Sequence, residues 1–157
     1  MLKKYLLIFL VSMIPLIELR GAIPVALGMG MDTLTAYVIC VIGNMIPVPF
    51  VYFFARKVLQ WGADKKYIGK FFTFCLEKGD RAGQKLVAAT GRGGLFLALL
   101  LFVGIPLPGT GAWTGALGAS FLNMGFKSTV AAVSLGVIMA GIIMGVVSAF
   151  GLHIFGL

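Results

Sequence analysis

The chain has 157 residues, of which 60% are hydrophobic and 11% are charged, and its formal net charge is +8. An ordinary soluble domain is about half apolar and about one quarter charged, so this composition excludes a soluble globular class and predicts one all-α integral membrane domain over residues 1–157. The positive charge is concentrated between apolar blocks, which is a membrane-topology pattern, and we expect no nucleic-acid partner.

The first apolar segment, residues 5–17, follows the start Met-Leu-Lys-Lys. It resembles a secretory signal, but no small-residue cleavage site follows, and we interpret it as the first membrane segment. As a helix it would extend about 20 Å, which is short of a hydrocarbon thickness of about 30 Å. We therefore expect this segment to enter the membrane without crossing it.

Glu18 and Arg20 follow this segment directly, in a stretch that also contains Pro15, Gly21 and Pro24. Ionisable groups at membrane depth are costly and usually mark a binding site or transport path, while proline and glycine predict a broken helix. One interpretation is a proton-coupled anion site, in which a desolvated Glu18 takes up a proton and Arg20 holds a phosphate or carboxylate. The other is an ion pair that neutralises itself and fixes the hairpin.

The next apolar segment, residues 33–55, is long enough to cross the membrane as one helix. Asp32 precedes it and is expected to cap its first turn, with a role in proton relay as the alternative. Asn44, followed by Pro47 and Pro49, is expected either to line a cavity or to mark a kink in the span.

Residues 56–92 carry nine basic and three acidic side chains, a net charge of +6 that predicts a cytoplasmic location. Within this segment, apolar residues recur at helical spacing at Tyr67, Phe71, Phe74 and Cys75. This spacing predicts an amphipathic helix on the membrane surface that ends near Gly79.

The second apolar block follows Arg92, which is expected either to anchor the chain at the interface or to contact a phosphate at a cavity mouth. Residues 93–104 and 110–122 predict two short helices on either side of a break, and residues 128–157 predict a full span. The residues of this break that could bind a substrate are Pro106, Pro108, Gly109, Thr110 and Gly111.

Backbone amides left free at this break would attract an anion at the start of the following helix. The alternative is a tight contact between helices at the small residues Gly111 and Gly115.

The two halves of the chain resemble each other, since Ile14-Pro15-Leu16 lies 91 residues before Ile105-Pro106-Leu107, and Ile42-Gly43 matches Leu135-Gly136 if two residues are inserted. Each half then forms a re-entrant, Pro/Gly-broken helical hairpin plus one full transmembrane helix. The repeats cover residues 1–55 and 93–157, joined by the basic linker. A hairpin adds no crossing and a span adds one, so we expect inverted repeats. Parallel repeats, in which each broken segment crosses fully, are the alternative that Lys3 and Lys4 favour.

Catalytic and metal-binding signatures are absent from the sequence. It offers no nucleophile–base pair and no nucleotide loop, so we expect no enzyme activity. Cys40 and Cys75 make no disulfide framework and His153 stands alone, so we expect no metal and no cofactor.

The run Glu-Leu-Arg-Gly-Ala-Ile-Pro at residues 18–24 and the run Pro-Leu-Pro-Gly-Thr-Gly-Ala-Trp-Thr-Gly at residues 106–115 resemble the small multidrug export protein family. The resemblance covers nearly the whole chain. That family is similar to the DedA group, which includes the SNARE-associated Golgi (VTT) proteins. The resemblance implies inverted re-entrant hairpins and proton-linked movement of a lipid phosphate such as undecaprenyl phosphate.

The same resemblance implies functional roles for Glu18 and for Arg92 with the glycine before it. DedA proteins carry a further arginine after the second hairpin proline, where this chain has Thr110 and Gly111. The resemblance therefore leaves Arg20 as the residue that would supply this charge.

We thus expect a multi-pass transporter of the prokaryotic cytoplasmic (inner) membrane, in contact with membrane lipids and carrying an amphipathic, anionic substrate. A homodimer is expected, because two spans and two hairpins make a bundle too thin to enclose a cavity. Two alternatives stay open. One is an exporter of cationic drugs that uses Glu18 as a counter-ion beside Trp113, and the other is a non-transporting membrane scaffold.

Overall fold

The computed structural model describes residues 2–15, 17–65, 68–107 and 109–154. Within these ranges every regular element is an α-helix, which confirms the predicted all-α class. The helices are α1 (Leu2–Met13), α2 (Glu18–Gly28), α3 (Thr33–Met45), α4 (Pro47–Ala63), α5 (Gly69–Gly104), α6 (Ala112–Phe121) and α7 (Phe126–Ile154).

Three helical stretches are long and apolar enough to cross a membrane, namely Thr33–Ala63, Val87–Gly104 and Phe126–Gly151. The chain is therefore a multi-pass membrane protein. The prediction had two full spans, because residues 93–104 alone are too short. The third candidate arises because helical residues on both sides of the kink at Gly91 extend the apolar stretch back to Val87.

The first span extends further than predicted, to Ala63 instead of Ala55, so the helix includes Arg56 and Lys57. Pro47 lies in the first turn of α4, where backbone N–H groups have no acceptor within the helix, so the missing N–H of proline costs no hydrogen bond. The backbone of Ile46, between α3 and α4, keeps helical angles (φ −60°, ψ −45°). The proline pair therefore does not break the span.

The linker helix does not end near Gly79, and this part of the prediction is wrong, because the helix continues to a kink at Gly91. Gly79 lies inside α5, and a Cβ atom there would collide with the backbone carbonyl of Phe121. The glycine allows a close approach to the end of α6. The one non-helical residue in α5 is Gly91 (φ 70°, ψ 176°), a conformation that suits a residue without a Cβ atom. Tyr67 and the side chain of Cys75 lie outside the described part of the chain.

Helices α1 and α2 form a helical hairpin with a break between Met13 and Glu18. The Lys4 ammonium donates to the carbonyl of Met29 (3.1 Å), so the start of α1 lies beside the end of α2 and the two arms are antiparallel. Pro24 lies within α2 and does not end it, contrary to the prediction that it helps to break the helix. Its neighbours Ala22, Ile23 and Ala26 are fully buried, and their packing stabilises the helical turn that contains Pro24.

Helices α5 and α6 form the second broken hairpin, in which α5 ends at Gly104 and α6 begins at Ala112. Val103 in α5 lies against Gly115 in α6, where an added Cβ atom would be 2.5 Å from the valine. Further from the break, Leu95 and Leu122 line the same cavity. The arms are therefore antiparallel here too.

Each hairpin packs its first arm closely against a long helix at a glycine. A Cβ atom on Gly43 would lie 2.8 Å from the carbonyl of Phe9, and one on Gly136 would lie 2.8 Å from the carbonyl of Leu100. Helix α1 thus approaches α3 in the same way as α5 approaches α7.

The turns after the two hairpins share one hydrogen-bond pattern. Met31 donates its amide to Ala26 (3.0 Å), and Met124 donates to Ala119 (2.9 Å). Gly30 and Asn123, at the corresponding position, have φ of 74° and 55°. Corresponding residues of the two turns, such as Met31 and Met124, are 93 positions apart. The last residues of α1 and α5, Met13 and Gly104, are 91 positions apart. The second half is therefore two residues longer between the end of its first arm and its turn.

Candidate functional site at the junction of the two hairpins

Arg20 connects the first hairpin to the break of the second. Its guanidinium donates to the carbonyls of Leu107, Val103 (3.1 Å) and Ile105 (3.3 Å). The last carbonyls of a helix have no partner within the helix and carry partial negative charge. Arg20 therefore caps the end of α5 with a positive charge.

Glu18 holds the other side of the same break. Its side chain is buried, with 5% exposed, and its carboxylate accepts a hydrogen bond from the amide of Trp113 (3.1 Å). Trp113 lies in the first turn of α6, where amides are free and the helix dipole is positive. The carboxylate of Glu18 thus interacts with the positive start of α6.

Gly111 makes room for this carboxylate. A Cβ atom on Gly111 would overlap the carboxylate of Glu18, so any larger residue here would force that carboxylate to move. Its backbone is extended (φ 172°), and the requirement is therefore steric. Glu18 itself has φ of 49°, which is uncommon for a residue with a side chain and marks a constrained start of α2.

The remaining groups of the two breaks are also joined to each other. The indole of Trp113 donates to the carbonyl of Met13 (3.1 Å) at the end of α1. Thr110 donates its hydroxyl to Ile105 (2.9 Å) and Leu107 (3.0 Å) within the second break. Side chains from each hairpin therefore cap helix ends of the other.

Glu18 and Arg20 do not touch as a direct ion pair, since the ion pair found among the described residues is Arg81–Glu77. Both side chains instead bind the backbone of the second hairpin, and in this way they fix the junction. Gly109 has φ of 81° and shapes the turn of the break, which also includes Pro106. Pro108 lies outside the described residues.

Three predicted site residues lie elsewhere. Asp32 caps α3 by accepting from the amide of Thr35 (3.1 Å), which confirms its capping role. Asn44 is buried in α3, with 1% exposed, and its Oδ1 atom has no hydrogen-bond partner in the described part of the chain. Arg92 is exposed near the start of the last part of α5, about 20 Å from the break by helix length.

Several contacts at the junction and at the open end of the second hairpin were not predicted. The Trp113 indole bond, the bond from the Tyr52 hydroxyl to Met124 and the bond from Arg56 to Asn123 join residues at least 67 positions apart. No local sequence signal indicates such partners. Within the described ranges, no group of three or more His, Cys, Asp or Glu side chains is placed to hold a metal ion.

Comparison with known proteins gives one family. Residues 18–143 match the model of the small multi-drug export protein family. Neither the curated proteins nor the solved structures gave a match. The matched region begins at Glu18, directly after the first break, and includes the second break and most of the last helix. The chain therefore belongs to the small multi-drug export protein family.

Proposed function

We propose that this export-family protein carries an amphipathic, anionic substrate of the lipid phosphate class across the membrane, and that it takes up a proton at Glu18 as it binds the substrate. The family description supports transport in general. The observation that carries the finer proposal is the position of the Glu18 carboxylate at the positive start of α6. The start of a helix can bind any anion, and here it binds the Glu18 carboxylate, which can be neutralised by a proton.

Exchange of these two anions would couple proton and substrate. When Glu18 gains a proton, the amide of Trp113 and the positive end of α6 lose their negative partner. A phosphate group can then take that place, next to the guanidinium of Arg20. Loss of the proton restores the carboxylate and expels the phosphate, so the charge at the junction is balanced in both states.

The arrangement of the hairpins supports access to the junction from both sides of the membrane. The first hairpin has its open end at Lys4 and Met29, next to the start of α3, and the second has its open end at Asn123, beside Arg56 in α4. Residues 33 and 56 are about 35 Å apart along the span. The hairpins thus open in opposite directions.

Corresponding contacts support an inverted repeat. Gly43 and Gly136 receive the first arms of the two hairpins in the same way, and the turns at Gly30 and Asn123 share their hydrogen bonds. Broken helices that meet near the midplane between inverted repeats are a common construction of substrate sites in transporters. By the basic excess, we assign the open end of the second hairpin to the cytoplasmic side of the inner membrane.

A second candidate, export of cationic amphiphiles, is favoured by an apolar groove beside the junction. The groove has a volume of about 630 Å³ and contains aromatic side chains from α4, α5 and α6, including Phe54, Phe71 and Trp113. Aromatic faces next to a carboxylate suit an organic cation.

Flux through vesicles containing the purified protein tests the proposal. Glu18→Gln keeps an acceptor for Trp113 but cannot gain or lose a proton near neutral pH, so we expect proton-driven flux of a fluorescent lipid phosphate to fall at least about tenfold. Glu77→Gln, which alters an exposed carboxylate in the Arg81 surface pair, should transport like the parent protein. Unchanged proton-driven flux in Glu18→Gln would refute the proposal, and transport of an organic cation alone would establish the second candidate.

A further inference from the structure

A polar pocket lies at the open end of the second hairpin, separate from the junction. It has a volume of about 620 Å³, and its polar lining consists of Asp80, Gln84, Arg92, Asn123 and Ser128. We call it the Arg92 pocket. It places a cation and an anion in one cavity at the side of the membrane that carries the basic excess.

The two charges in the Arg92 pocket are not used by the fold. The ion pair found among the described residues joins Arg81 and Glu77, so Arg92 and Asp80 do not pair with each other. The structure shows no hydrogen bond from the Arg92 side chain to any other described residue, and this side chain is exposed. Opposite charges in one cavity, each without an ionic partner among those residues, complement a ligand that carries both signs of charge.

An apolar groove continues from this pocket between the arms of the second hairpin. The groove, of about 240 Å³, shares Leu95, Leu122 and Met124 with the Arg92 pocket. It extends to Phe102, about 10 Å further along α5. Gly115 and Gly118 form much of its other wall, so its width depends on missing side chains.

We infer that the Arg92 pocket and this groove form a binding site for a phospholipid whose headgroup carries a phosphate and a cationic amine. Arg92 binds the phosphate, Asp80 receives the amine, and one acyl chain enters the groove. The polar part lies at the hairpin mouth and the apolar part points towards the break, which matches the direction of a lipid in the leaflet. This site is independent of the proposed transport at Glu18.

Native mass spectrometry of the detergent-solubilised protein tests this site with three lipids of equal single-chain length. The probes are lysophosphatidylethanolamine, lysophosphatidylglycerol and monoacylglycerol. The parent protein should bind the amine-bearing lipid most tightly. Arg92→Gln should weaken both phosphate lipids about tenfold and leave monoacylglycerol unchanged, because one charge-assisted bond is lost. Asp80→Asn should remove the preference for the amine.

Gly118→Leu tests the groove, since a Cβ atom at this position meets nothing within 4 Å and the backbone need not move. It should weaken binding of all three lipids at least about tenfold. Gly28→Leu adds the same side chain at another open helical glycine outside the groove, and Arg81→Gln removes an exposed arginine elsewhere. Both controls should bind like the parent.

Parent-like binding by Arg92→Gln or by Gly118→Leu would overturn the site, and an unchanged lipid preference in Asp80→Asn would overturn the role of the amine. The measurement reports binding and not flux. Failure here therefore leaves the result for Glu18→Gln unaffected.

Discussion

Single charged side chains hold this protein together at its most irregular point. A break in a membrane helix leaves carbonyls at one end and amides at the other without partners, and lipid cannot supply them. Arg20 binds the carbonyls at the end of α5, and Glu18 binds an amide at the start of α6. Each charge also has the sign that the helix dipole favours. The two side chains thus make a broken hairpin stable within the membrane.

Gly111→Ala tests this arrangement at the level of one atom. The new methyl group would occupy the position of the Glu18 carboxylate, so we expect a loss of about 1–3 kcal/mol in the free energy of unfolding. Gly118→Ala is the matched control, because its Cβ atom meets open space within helix α6. Thermal unfolding in detergent should show a lower midpoint for the first variant and an equal or higher one for the second. Equal midpoints for Gly111→Ala and the parent would contradict the contact.

The location of Glu18 and Arg20 at a break could be predicted from the sequence, because charges beside proline within an apolar run are costly anywhere else. Their partners could not. Trp113 is 95 residues from Glu18, and Leu107 is 87 residues from Arg20. Only the packing of one hairpin against the other determines these pairs.

At the scale of helices, the positions of proline and glycine in the sequence indicate both breaks. They do not indicate where the linker helix ends. Gly79 was expected to end a helix, since glycine costs about 1 kcal/mol in a helix interior. Its missing side chain instead allows α5 to approach the carbonyl of Phe121. Gly91, with positive φ, is the residue that interrupts α5. Sequence alone does not distinguish a glycine needed for a close contact from one needed for a turn.

The corresponding helix contacts at Gly43 and Gly136 lead to a paired prediction. Alanine at either position would meet a backbone carbonyl of the adjacent arm, so each variant should lose about 1–3 kcal/mol of stability. Gly28→Ala, at an open helical position, serves as the control. Thermal unfolding of the three variants in detergent measures this loss of stability, and the midpoint should fall for both test variants and not for the control. Loss at only one of the two glycines would contradict their equivalence.

At the scale of the whole molecule, we propose two hairpins that open in opposite directions and meet at their breaks. The contact between Lys4 and Met29 supports a first hairpin that returns to its own side. The sequence favoured this arrangement because 13 apolar residues are too few for a crossing, while Lys3 and Lys4 favoured the parallel alternative. Charge and helix length therefore favour different topologies, and the sequence alone does not decide between them.

The most direct test is cysteine labelling from each side of sealed vesicles, in a protein without Cys40 and Cys75. Single cysteines replace Lys3 and Met29 at the ends of the first hairpin, and Lys57 and Lys127 at the other side. A membrane-impermeant maleimide should label Lys3→Cys and Met29→Cys from one face only, and Lys57→Cys and Lys127→Cys from the opposite face only. Labelling of Lys3→Cys and Met29→Cys from opposite faces would mean that the first broken segment crosses the membrane, which would contradict the inverted hairpins.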